Sequence, residues 1–158
     1  MKGLNAAIIT AKKTQLVKAC EEGITKGKDT ANAVKLALIH IYNQLVHSVS
    51  KHGYVVIGGT TNECIPDDKV IVINSKQNIL YKIYALAHEA GHLLTLEKCS
   101  EEFGDRVVTG KKHFWPSLEA ELRAWHTADK IMRRIRLYSP DYLKYKHACL
   151  RTYYRTLS

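Results

Sequence analysis

His88-Glu89-Ala90-Gly91-His92 lies inside a run from Ile83 to Leu96 that carries no other charge. An H-E-x-x-H arrangement acquires geometric meaning on a helix. Residues four apart project about 40° from each other around the axis, so both imidazoles leave one face a turn apart and can converge on a single ion. Glu89 projects about 100° further round, where its carboxylate can hold a water beside that ion without ligating it. Ala85, Leu86, Ala87, Ala90, Leu93 and Leu94 surround these polar residues, so Ile79 to Leu96 reads as a deeply buried helix, with Asn74 or Ser75 as its cap. Two histidines and a glutamate in that setting are costly to bury without partners or a metal. The plain alternative is a buried helix that merely contains two histidines.

A catalytic zinc ordinarily takes a third protein ligand and leaves its fourth position for water. The metzincin continuation fails, because Thr95 stands where a Gly is required and Lys98 where a His is required. The next candidate stretch is Ser117 to Leu137, a helix whose apolar stripe reads as Leu118, Leu122, Trp125, Ala128, Met132 and Ile135. At about 100° per residue, Glu121 falls roughly 30° from the stripe centre and Glu119 roughly 130° away. Glu121 is therefore expected inside and Glu119 in water. An inward carboxylate needs a partner, either an ion held by His88 and His92 or an Arg or Lys.

The rest of the chain supplies a small scaffold. Its 158 residues suit one globular domain, 1–158, and 46% hydrophobic content excludes a disordered or collagen-like chain. Leu4 to Glu22 reads as a helix. A second runs from an Asp29 or Thr30 cap to a stop at Gly53, with Val34, Leu38, Ile41, Leu45 and Val49 as its apolar stripe. Tyr54–Ile57 and Val70–Ile73 read as two strands of a small antiparallel sheet, with Gly58-Gly59 as a hairpin turn. Ser139 and Pro140 then begin a last helix to about Leu157. The expected fold is α+β, a mostly helical single domain with a small β-sheet packed on the H-E-x-x-H helix.

Three blocks then stand in order: Val70-Ile71-Val72-Ile73-Asn74, Leu86-Ala87-His88-Glu89-Ala90-Gly91-His92-Leu93, and Glu121-Leu122-Arg123-Ala124-Trp125-His126-Thr127-Ala128. Together they resemble the strand, H-E-x-G-H helix and E-x-x-A helix of ImmA/IrrE-like metallopeptidases, and more closely the phage-encoded relatives that carry E-x-x-A-W. The likeness covers about residues 69 to 132. It implies zinc (Zn2+) as cofactor, with Glu121 as the third ligand beside His88 and His92. Trp125 stands where many gluzincins place an Asp or Asn that supports the site.

The function expected from these readings is a zinc-dependent peptidase acting on a protein or peptide substrate, with Glu89 as the base for a metal-activated water. The competing class is a non-catalytic metal-binding regulatory or nucleic-acid-associated protein. A formal charge of +9 and the clusters Lys111-Lys112-His113, Arg133-Arg134-Ile135-Arg136 and Lys144-Tyr145-Lys146 would suit acidic partners. Cys20, Cys64, Cys99 and Cys149 form no metal clip, and with no membrane-spanning stretch they suit reduced thiols in the cytoplasm. The segment Cys99 to Trp115 is expected to border the substrate cleft, with Phe103, Phe114 and Trp115 as apolar contacts. His113, His126 or one of the tyrosines could donate to a developing oxyanion.

Overall fold

The structure, a computed structural model, describes residues 27–103 and 118–156. Within them run α1 (Gly27–Ser50), β1 (Val55–Gly59), β2 (Glu63–Ile65), β3 (Val70–Asn74), α2 (Ile79–Phe103), α3 (Leu118–Arg134) and α4 (Pro140–Thr156). This is the mostly helical α+β fold with a small sheet. The helix expected over Leu4–Glu22, and His113, Phe114 and Trp115, lie outside the described residues. The chain divides into two compact units, Met1–Ile41 and Tyr42–Ser158, with the break inside α1. In the first unit, Val34 is 48% exposed and does not extend the apolar stripe inward.

The second unit carries the sheet and the three long helices that follow it. The pairing differs from the antiparallel expectation: β1 runs parallel to β3, and β2 lies antiparallel on the other side of β3, giving the order β1-β3-β2. Gly58 and Gly59 are therefore strand residues paired with Ile73 and Asn74, and not a hairpin turn. The chain crosses the end of β3 at residues 60–62, where the Asn62 carboxamide oxygen accepts the Asn74 amide at 2.8 Å. A three-residue strand among Thr, Asn, Pro and Asp has too little apolar alternation to be seen in sequence; because the chain reverses between β1 and β2, and β2 is antiparallel to β3, β1 runs parallel to β3.

One sheet face, Val56, Cys64, Ile71 and Ile73, packs with Val49, Tyr54, Ala85, Leu86, Ala90 and Leu93 in a single core. Asn78 caps α2, its side-chain oxygen accepting the Tyr81 amide at 2.9 Å, in place of the expected Asn74 or Ser75. The helix also runs past Cys99 to Phe103, into the segment expected to be irregular. Ser139 caps α4 as expected: its hydroxyl accepts the Tyr142 amide at 3.3 Å, and Pro140 is the first helical residue.

α3 corrects the sequence reading of its own stripe. Leu122 is 42% exposed, while Ala120, Glu121, Ala124, Trp125, Ala128 and Met132 are buried. The inward face is centred on small residues because α3 packs tightly on α2. Between α3 and α4, Asp129 receives the Tyr142 hydroxyl and the Lys146 ammonium, each at 2.8 Å on a different oxygen. Tyr84, Trp125, Tyr142 and Tyr145 then form one aromatic cluster joining α2, α3 and α4.

Candidate metal centre

The histidines of α2 meet as the helix spacing requires. His88 Nε2 and His92 Nε2 are 3.1 Å apart. The Glu121 carboxylate straddles them from α3, Oε2 at 3.2 Å from His88 Nε2 and Oε1 at 3.2 Å from His92 Nε2. His88, Glu89, His92 and Glu121 are all buried, between 4 and 9% exposed. Glu89 belongs to the same cluster, with ligand-capable atoms of His88, Glu89 and His92 all within 4.8 Å of one another. The Glu119 side chain lies outside the described residues.

Three lone-pair-bearing atoms held this close repel one another unless a cation or ring protons sit among them. The spacing suits an ion: bonds of 2.0–2.1 Å in a tetrahedron put ligand atoms about 3.3 Å apart. Burial holds His88 below the ordinary imidazole range, against the hydrogen bond to Glu121, which favours its neutral, ligand form. Burial alone would push Glu121 up, but hydrogen bonds and charge from both histidines outweigh it and hold the carboxyl well below the usual range. Glu89 is pushed up to about 8, by burial first and then by the Glu121 and Glu63 carboxylates. The Cys64 main-chain amide on β2 hydrogen-bonds its carboxylate and opposes that rise. The group can hold a metal ion through two imidazoles and one carboxylate, with a second carboxylate beside it.

The approach of α3 depends on Gly91. A β-carbon there would overlap the main-chain carbonyl of Ala124 and lie 3.0 Å from its Cα. Gly91 and Ala124 are thus the contact that lets Glu121, three residues before Ala124, reach the histidines. Gly91→Ala should push the helices apart and weaken metal binding at least tenfold, measured by competition with a chromophoric chelator. Overpacking would cost roughly 1–3 kcal/mol, more than the roughly 1 kcal/mol gained in helix propensity. A variant more stable than the parent with unchanged affinity would refute this contact.

Trp125, the departure from the supporting Asp or Asn, stacks on the His88 ring with centroids 4.0 Å apart and planes 20° from parallel. Sequence reasoning placed it on the core stripe and at the position of a supporting Asp or Asn, four residues after Glu121 on the same helix face, without assigning it a contact to His88. His126 is exposed. Tyr145, half-buried, hydrogen-bonds Asn62 at 3.4 Å, and burial, followed by nearby Cys149, pushes its hydroxyl well above the usual phenol range. Cys64 and Cys149 are free thiols. In the basic clusters, Arg133, Arg134, Arg136 and Lys144 are exposed, but Lys146 is committed to Asp129 and Arg133 lies 3.8 Å over the Tyr138 ring. Among the described residues no helix is long and apolar enough to cross a membrane. No family model, curated protein or solved structure matches the chain.

Proposed function

We propose that the chain is a zinc-dependent peptidase of the ImmA/IrrE-like kind, acting on a protein or peptide. His88, His92 and Glu121 are its metal ligands and Glu89 its general base. The supporting observation is the convergence of both Nε2 atoms and the Glu121 carboxylate within 3.2 Å of one another in a buried site. Two imidazoles and one carboxylate are a donor set of catalytic zinc, and three protein ligands leave the fourth position open. When bound, the ion would supply Lewis-acid polarisation of a peptide carbonyl and acidify a water. Glu89 would take the proton from the attacking water and pass it to the departing amine. The Cys64 amide would keep the carboxylate aimed while it does so.

A second reading has the depth of burial in its favour: a closed metal site that ties α2 to α3 and serves a regulatory role without turnover. Exposed Arg133, Arg134 and Arg136 make nucleic acid a further partner to test, by salt-dependent binding. Elemental analysis and a peptide-cleavage assay test the main proposal. It expects one zinc per chain and hydrolysis abolished by a chelator. Glu121→Ala should weaken zinc binding at least tenfold and Glu119→Ala should leave it unchanged. Absence of a stoichiometric transition metal would overturn the proposal, and equal loss from both glutamates would remove Glu121 from the site.

A further inference from the structure

We infer that Trp125 is a positioning residue for the metal site, holding the His88 imidazole by ring stacking where a ligating histidine is ordinarily held by a hydrogen bond. The inference rests on the reading of His88 as a ligand. A metal-bound imidazole usually donates its second ring N–H to a carboxylate or carbonyl, which fixes the ring and makes it a stronger donor. Among the described residues His88 has no such partner: its Nδ1 is buried and makes no hydrogen bond to them. What the ring has is a near-parallel indole face at 4.0 Å, and the His92 ring edge-on at 4.5 Å. Trp125 sits one helical turn beyond Glu121, so α3 presents a carboxylate to the His88 Nε2 and an aromatic plane to the same ring.

The indole is itself immobilised. Trp125 is fully buried, with Tyr142 and Tyr145 packed at 6.1 and 6.2 Å between centroids. Its own N–H is buried and makes no hydrogen bond among the described residues. The side chain is thus used for its face and not for its polar atom, and a phenyl ring can replace it without stranding an acceptor. Stacking fixes ring tilt but adds no negative charge behind the imidazole, so His88 is a well-placed and weaker donor than a histidine backed by a carboxylate.

The test compares the full chain with Trp125→Phe and Trp125→Leu, measuring zinc affinity by chelator competition and the visible spectrum of the cobalt(II)-loaded protein. Loss of an orienting partner in this position costs roughly 10- to 100-fold in metal affinity. Trp125→Leu should fall in that range with an altered cobalt spectrum, and Trp125→Phe should recover most of the affinity and the parent spectrum. Equal affinity and identical spectra in parent and Leu variant would overturn the inference while leaving the metal site standing. If Trp125→Leu does not fold, an affinity of Trp125→Phe lowered only a few-fold supports the stack, and a loss as large as that of His88→Ala overturns it. A parent chain that binds neither zinc nor cobalt overturns both the site and the stack.

Discussion

Glu89→Gln is expected to lower peptide hydrolysis by roughly 10³-fold while leaving one metal ion bound per chain. The amide has the shape of the carboxylate but cannot accept the proton, and His88, His92 and Glu121 are untouched. The same substitution should change stability in a defined pH window. In the metal-free protein Glu89 is pushed up to about 8 from an ordinary 4.5, by burial and then by Glu121 and Glu63. A group raised in the folded state contributes stability that is complete below its unfolded value and lost as pH rises through the folded one. The metal-free parent should therefore melt at progressively lower temperature from about pH 4.5 to about 8 and level off above that, and Glu89→Gln should flatten that slope. Parallel slopes would show that some other group is responsible. Retained hydrolysis in a metal-loaded Glu89→Gln protein would remove Glu89 as the base and the proposed mechanism with it.

Chelation of the metal should lower the melting temperature by roughly 8–16 °C. The argument is mass action on a ligand bound by the folded state alone: free metal at a thousand times its dissociation constant adds about 4 kcal/mol, and each kcal/mol is worth about 2–4 °C in a chain of this size. The ion would join α2 to α3 through ligands 29 residues apart, His92 and Glu121. Its removal leaves a buried carboxylate facing two imidazoles, so part of the loss is electrostatic. Restoring zinc should restore the melting temperature, and Glu121→Ala should show little response to either treatment. An unchanged melting temperature after verified metal removal would mean that the ion does not bridge these helices.

The α2 half of this site was legible because its geometry is local: four residues on one helix determine where His88 and His92 meet. Glu121 was legible for a less secure reason. The stripe that pointed to it included Leu122, which is exposed, and the face it shares is lined by Ala120, Ala124 and Ala128. Bulk apolar residues mark a core, whereas a close helix contact selects small ones, as Gly91 against Ala124 shows. Glu121 fell within both sectors. β2 and the parallel sense of β1 were hidden because strand pairing is settled by tertiary neighbours, and three residues carry too little pattern to announce it. Trp125 was read as core, correctly, but which ring lies on its face is decided by the packing of two helices.

The Asp129 carboxylate has a consequence for the site one turn away. Tyr142 and Lys146 occupy its two oxygens from successive turns of α4, so sliding α4 along α3 by a single turn would leave a half-buried charge unpaired on each helix. The pairing thus favours this axial setting of α4 over one displaced by a turn. Tyr142 and Tyr145 inherit that setting, and so does the indole they brace. An ion pair outside the His88–His92–Glu121 cluster thereby acts as an alignment key: it favours, among the ways three amphipathic helices can pack, the one in which the plane of Trp125 lies flat against His88.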